Sequence, residues 1–246
     1  MMPDGSGTAQ DAPVSGQGNS PGGMPAARPG IVVGMEAEAA LIRAFAPHAA
    51  IGVSGATRAG AEAAVARLLH AGVDAILSFG LAAGLDPALR PGAILVPRHV
   101  ALPDGRRLPA DPAWLAWLGD GRPDIMPADL LHSDDVVVTA GRKGACFHRT
   151  GCAGLDMESG IVAEACARAG VPFAVLRVVC DPANRSLPPA AVLALGPDGG
   201  IGIGRILASV LRRPWQIPAL VTLGRDAAQA RSRAVAFLRG RFFQTS

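Results

Sequence analysis

Short apolar runs that alternate with helix-length stretches constrain this chain more than any other feature. Ile31 to Gly34, Ala50 to Val53, Asp74 to Phe79 and Ala93 to Pro97 are too brief for helices. Each is bounded by Gly, Pro or polar turn residues, the signature of a buried strand. Between them, Glu36 to Ala46 reads as a helix ended by Pro47. Arg58 to Ala71 reads as a second, capped by Thr57 and stopped by Gly72. The order β-α-β-α-β-β predicts a mainly parallel sheet covered on both faces.

The later chain continues the pattern less regularly. A Pro- and Gly-rich segment from Pro103 to Asp124 holds a short amphipathic piece around Trp114 and Trp117. Val136 to Val138 is expected to be a strand, and Met157 to Ala169 a helix stopped by Gly170. Val171 to Val179 is expected to be a buried strand carrying one Arg, and Pro188-Pro189 to begin another helix. From Ile201 the chain reads as two helical segments broken by Pro214 and Pro218. No repeat at solenoid spacing is visible.

Bulk properties set limits. The 246 residues suit one α/β domain, and 50% hydrophobic against 17% charged residues supplies a large core and excludes global disorder. A net charge of +3, with no basic stretch interleaved with aromatics, argues against nucleic acid. No run reaches the ~18–20 apolar residues of a membrane span. Cys146, Cys152, Cys166 and Cys180 form no CxxC pair and read as reduced thiols of a cytoplasmic protein. His48, His70, His99, His132 and His148 form no HxxxH or HExxH, so neither a metal nor a cofactor is expected.

Three acidic points stand out on this apolar chain: Glu38 in Gly-Met-Glu-Ala-Glu, Met157–Glu158 in Leu-Asp-Met-Glu-Ser, and Asp181 in Cys-Asp-Pro-Ala. Each lies near an expected strand end, where open α/β sheets bind ligands. Together they suit a reaction that activates a nucleophile, holds a polyhydroxylated group and protonates a leaving group. Singly, each has an ordinary reading too. Asp181 is an Asx-turn or N-cap, or a general acid raised by burial. Glu158 is a first-turn carboxylate favoured by the helix dipole, and Glu38 an exposed helix-face residue. Gly80-Leu81-Ala82-Ala83-Gly84 reads as a tight loop after a strand, either cradling an anion or merely turning. Arg58 and Lys143 are candidate anion ligands, each also readable as a surface charge.

In order, Gly34-Met35-Glu36-Ala37-Glu38, Ser54-Gly55-Ala56-Thr57, Phe79 to Gly84, Asp156-Met157-Glu158-Ser159 and Cys180-Asp181-Pro182-Ala183 resemble the purine nucleoside phosphorylase / methylthioadenosine–adenosylhomocysteine nucleosidase superfamily. The resemblance covers about residues 30–195 and looks closest to its hopanoid-associated branch. It implies a three-layer α/β/α fold with a mixed, twisted central sheet. It implies an enzyme that cleaves the N-ribosidic bond of an adenine nucleoside, adenosylhopane in that branch, or methylthioadenosine and adenosylhomocysteine in the soluble one. A non-catalytic nucleoside-binding module is a third reading.

By the same resemblance Glu38 orients the attacking water, Met157 and Glu158 hold the ribose, and Asp181 protonates N7 of the purine. Gly80 and Leu81 line the site, as do Val137 and Val138, near where relatives offer an aromatic to stack on the base. The chain departs from the pattern in carrying Leu81 where many relatives have Ser or Thr. It also has Ser78 where one type of phosphorylase has a phosphate-binding Arg, and it contains no Tyr. Ser78 favours water over phosphate as nucleophile. Neither a cofactor nor a metal is implied, and a homo-oligomer is.

The expected organisation is a disordered tail over 1–28, without the basic start or apolar stretch of a signal peptide. A nucleoside phosphorylase-like catalytic domain follows over 29–200, and a helical Arg-rich extension over 201–246. From Ile201 to Phe243 apolar residues interleave with arginines. That segment packs on the domain or a second subunit, or it lies on the inner face of a membrane.

Overall fold

The computed structural model describes residues 23–119, 121–126, 128–194, 209 and 211–242. Most of the expected N-terminal tail lies outside the described residues, as do Ile206, Leu207, Val210 and Phe243 of the Arg-rich segment.

The chain opens with β1 (Pro29–Val33), α1 (Glu36–Phe45), β2 (Ala50–Val53), α2 (Arg58–His70) and β3 (Ala75–Gly84). Thr57 caps α2 by accepting the Gly60 N–H at 3.1 Å. β1 pairs in parallel with β2 and with the first half of β3. Short strands follow: β4 (Ile94–Leu95), β5 (His99–Ala101), β6 (Arg107–Pro109), then α3 (Pro112–Leu118), β7 (Ile125–Met126) and β8 (Leu130–His132). Then come α4 (Ala140–Thr150), β9 (Gly154–Asp156), α5 (Ser159–Ala169), β10 (Phe173–Asp181) and α6 (Pro189–Ala194). A 3₁₀ turn (Pro214–Gln216) leads into the long helix α7 (Ile217–Phe242).

The sheet is mixed and branches at β3. Along one path the order is β6-β5-β8-β9-β3-β10-β4-β7, while β1 and β2 attach to the other part of β3. β3 can serve both because it is long: Pro29 to Val33 pair with Ala75 to Phe79, and Gly154 and Leu155 pair antiparallel with Gly84 and Ala83.

Alternation along the strands separates two cores, one on each face. Ile31, Val33, Leu77, Phe79, Leu176 and Val178 face α1, α3 and α7. Val32, Ile76, Val175 and Val179 face α2 and α5. The result is the expected three-layer α/β/α architecture.

Three expected elements differ. Gly80 to Gly84 do not turn. They continue β3, because Leu81, Ala82 and Ala83 pair with Val178, Val179 and Asp181 on one side, and Ala83 with Leu155 on the other. Val136 to Val138 form no strand. Val137 packs into a small cluster with Leu85, Leu131 and Leu155, and the Val138 carbonyl accepts the Leu187 N–H instead of a ladder partner. Pro218 does not break the last helix. It sits in the first turn, where its missing N–H would have no partner in the helix.

That helix belongs to the core. Ala230, Ala234, Phe237 and Leu238 are buried among Ile42, Trp114, Leu176 and Val178. Phe242 stacks edge-on to Trp117 at 5.4 Å between centroids. Leu238→Ala is expected to cost about 2–5 kcal/mol, as for a fully buried leucine. Urea denaturation of the two proteins measures this; an unchanged midpoint would show that α7 rests loosely on the domain.

Candidate active site

Glu38 stands in the first turn of α1, five residues past the end of β1. Its side chain reaches back over the helix start, where Oε2 accepts the N–H groups of Gly34 at 2.9 Å and Met35 at 3.0 Å. The Leu81 amide of β3 also donates to this carboxylate. A carboxylate drawing on orphan donors at a helix N-terminus is a favoured local arrangement. Here it also places the acid against the sheet.

Glu158 comes to the same place from the other direction. It precedes α5 and makes no capping bond. Its Oε1 accepts the Ser54 hydroxyl at 3.2 Å and its Oε2 lies 3.6 Å from Arg177. Two glycines leave room for both acids. A Cβ on Gly34 would stand 3.0 Å from Glu158 Oε1 and 3.2 Å from Glu38 Oε2; one on Gly80 would stand 3.1 Å from Glu38 Oε1. Any side chain at either position would push a carboxylate aside.

Ser54 is aimed by a strained turn. Gly55 and Ala56 both have positive φ, 64° and 55°, and Ala56 is an unusual residue to hold that conformation. The Ala56 N–H is bonded to the Gly34 carbonyl and the Ser54 hydroxyl, both at 3.1 Å, which secures the turn against β1.

Arg177 lies behind these groups, fully buried in the middle of β10. Its Nε donates to Asp156 Oδ2 at 2.6 Å, and Nη2 donates to Ser78 at 2.8 Å and Ser159 at 3.1 Å. Ser159 in turn donates to Asp156. The register explains the meeting: Arg177 pairs with Gly80, and Val175 with Ser78, so Arg177, Ser78 and Gly80 share one face of the sheet. Asp156, Ser159, Ser54 and Arg177 were not singled out from the sequence. The one available signal was a lone Arg in an apolar strand, since such a residue needs buried partners.

The charges decide the protonation. Burial pushes Glu38 above the usual carboxylate range, against the pull of the Met35 amide and Arg177. Burial pushes Glu158 up to about 7; Arg177 opposes this, and the nearby Asp156 and Glu38 carboxylates add to it. Three acids around one guanidinium cannot all ionise without repulsion, and that repulsion adds to the burial that raises Glu158.

Asp181 ends β10, just past an irregularity in its pairing with β3: Val179 pairs with Ala82, yet Asp181 pairs with Ala83. An extra residue at such a point re-aims the side chain that follows. Its Oδ1 lies 2.7 Å from the Lys143 ammonium. Lys143 is therefore no surface charge: it is fully buried on α4 and also donates to the carbonyls of Pro182 at 3.1 Å and Arg185 at 2.9 Å. Burial raises the Asp181 pKa, with Lys143 and Arg185 holding it down and Asp226 of α7 pushing it up. The Cys180 thiol is pushed up to about 12 by burial and by the Asp181 and Glu38 carboxylates.

Glu38 contacts β3 at Gly80 and Leu81, and Asp181 pairs with β3 at Ala83. Three residues of strand, roughly 10 Å along β3, separate the points at which the two acids meet it. Met157 lies half-buried between Asp156 and Glu158. Val138 is tied to the loop after Asp181 through Leu187, whereas Val137 faces its own apolar cluster. Arg58 stands apart on the surface, paired with Glu62 at 3.3 Å and with Asp134. Among the described residues no His, Cys, Asp or Glu cluster could hold a metal ion.

The family model of the phosphorylase superfamily matches residues 46–195, which include Glu158 and Asp181 but not Glu38. No curated protein matches the chain. Among solved structures, the 5′-methylthioadenosine/S-adenosylhomocysteine nucleosidase of Helicobacter pylori is similar, with 14% identity and a TM-score of 0.64 over 89% of this chain and 98% of that one. The Neisseria meningitidis nucleosidase of the same name, in complex with methylthio-immucillin-A, has 16% identity and a TM-score of 0.59 over 75% and 98%. A futalosine hydrolase mutant of Helicobacter pylori has 17% identity and a TM-score of 0.58 over 75% and 98%. At these identities the likeness is one of fold.

The raised Glu158 pKa has a sign in stability. A carboxyl that binds its proton more tightly when folded stabilises the protein fully below about pH 4.5 and loses that contribution as pH rises through about 7. Glu158→Gln is therefore expected to gain on the native protein between pH 5 and pH 8 by on the order of 2 kcal/mol. Denaturant melts at the two pH values check this; a constant difference would mean that Glu158 is ionised throughout.

Proposed function

Because the chain belongs to the phosphorylase superfamily, we propose that it cleaves the N-ribosidic bond of an adenine nucleoside and releases adenine. The observation that carries this reading is the placing of the acids: Glu38 and Glu158 together at Gly34, Glu38 against Gly80 of β3, and Asp181 paired three residues along that strand at Ala83. Bond cleavage leaves the sugar electron-poor and the base electron-rich. Glu38 takes a proton from water as its oxygen attacks C1′. Glu158 accepts hydrogen bonds from the ribose hydroxyls, with Met157 against the sugar and Val138 by the base. The C1′–N9 electron pair moves onto the base, and Asp181 gives its proton to N7. Water as nucleophile is supported by Arg177, whose guanidinium is already engaged by Asp156, Ser78 and Ser159.

Adenine release from adenosine, 5′-methylthioadenosine and adenosylhopane, with and without phosphate, tests this. Asp181→Asn is expected to fold and to lower kcat at least ~10²-fold, and Glu38→Gln similarly. Near-native turnover in a folded Asp181→Asn protein would remove Asp181 from the mechanism. Strict dependence on phosphate, with Glu38→Gln harmless, would overturn hydrolysis.

Adenosylhopane is the favoured substrate within this class, and a membrane-surface contact goes with it. Its support is an exposed apolar group before and along the start of α7. Leu211 and Trp215 are 83% and 74% exposed, Ile217 and Val221 are also open, and Arg212 and Arg213 stand beside them. Met35 and Leu81, next to Glu38, are exposed as well. An apolar substrate held in a bilayer favours an enzyme that sits at its surface. The protein is expected to co-sediment with anionic liposomes, less so at high salt and less so after Leu211→Ser with Trp215→Ser. Substitution is the apt probe, since truncation would strip Phe237 and Leu238 from the core. No liposome binding by the native protein, together with cleavage of soluble nucleosides alone, would assign it to soluble substrates.

A further inference from the structure

Lys143 has three N–H groups and three oxygens to receive them: Asp181 Oδ1 at 2.7 Å, the Pro182 carbonyl at 3.1 Å and the Arg185 carbonyl at 2.9 Å. The side chain has no exposure to solvent. Arg185 is itself held, its guanidinium paired with Asp226 of α7. One chain of contacts thus runs from α7 through the loop after β10 to α4 and back to the strand-end acid. A buried ion pair adds little stability compared with apolar packing of the same volume. Nothing in the local fold requires a cation at this point either, since α4 is already capped by Thr139 at its start and closed by Gly151 at its end.

We propose that Lys143 is the positioning residue of the purine acid, fixing Asp181 Oδ1 from α4, with Asp226 setting the loop that completes its coordination. The role rests on the assignment of Asp181 as the acid. With Oδ1 committed to Lys143, Oδ2 is the oxygen left to exchange a proton with the base. As the C1′–N9 bond breaks and its electron pair passes to the base, the Oδ2 proton moves to N7. The new carboxylate forms already in contact with an ammonium, which keeps its own proton. After adenine leaves, Asp181 regains a proton from water. A cation placed where negative charge develops makes the acid stronger without any rearrangement during the reaction.

The charged and titratable groups facing Asp181 are Lys143 from α4, Arg185 from the following loop, Asp226 from α7 and the neighbouring Cys180 thiol. Their signs give opposite expectations for two substitutions. Removing the Lys143 charge lets burial act unopposed, so the Asp181 titration moves up. Removing the Asp226 charge withdraws a repulsion and frees Arg185, so it moves down.

The test uses the full chain labelled with carboxyl-¹³C aspartate, the Asp181 resonance being assigned by its loss in Asp181→Asn. In Lys143→Met its midpoint is expected to rise by roughly 1–3 pH units, and in Asp226→Asn to fall. Adenine release from adenosine is read in parallel. Lys143→Met should lower kcat by roughly tenfold or more, one pKa unit of acidity, and should add no further loss to Asp181→Asn. Should Lys143→Met not fold, Lys143→Gln, which keeps N–H donors for the carbonyls, carries the same test. An unmoved midpoint overturns the proposal, as does a shift of the same sign in Lys143→Met and Asp226→Asn. A Lys143→Met loss of equal size with and without Asp181 overturns it too. Midpoints that shift as expected, combined with full turnover by Asp181→Asn, would leave the coupling intact and refute the assignment of Asp181 as the acid.

Discussion

A single buried guanidinium organises this molecule. Arg177 gathers Asp156 from β9, Ser159 from α5 and Ser78 from β3, and it faces the carboxylates of Glu158 and Glu38. Without a cation at that point, three acids brought in by two segments, α1 and the β9–α5 junction, would repel one another inside a low-dielectric core. With it, they can be packed together. The planar fork of an arginine suits the task, since it spreads one charge over several directed bonds. The junction of the branched sheet is therefore electrostatic as well as hydrophobic.

The second cation works on a different principle. Lys143 is a point charge with three donors, one for the Asp181 carboxylate and two for backbone carbonyls. Arg177 joins strands and helices that lie far apart in the chain, whereas Lys143 ties a helix to one loop. Each end of the site thus has its own counter-charge. The two can be tuned separately because β3 and β10 keep them apart by strand geometry, not by side-chain packing.

Much of the fold was legible. β2 was read to the residue, and the helices α1 and α2 ended at their expected stops near Pro47 and Gly72. Local chemistry settles such features: a capping Thr, a stop, a run of apolar residues. Gly80 to Gly84 misled because glycine-rich runs usually turn. Here small residues serve close approach, with Glu38 lying against Gly80 while both edges of the strand stay paired. Val136 to Val138 has strand propensity but no neighbour to pair with, and pairing is a property of the tertiary fold. The acids could be found because motifs mark them. Their counter-charges were harder to assign: Lys143, the chain's one lysine, lies 38 residues before Asp181, and the tertiary fold alone brings the two together.

The site also carries a sulfur. Cys180 sits between the last apolar residue of β10 and Asp181, where burial first, and then the Asp181 and Glu38 carboxylates, hold the thiol up to about 12. Oxidants and alkylating agents attack the thiolate, and at neutral pH almost none is present. The burial of this strand end, with the carboxylates beside it, thereby shields the thiol. The centre keeps a cysteine beside its acid without becoming sensitive to the redox state of its surroundings.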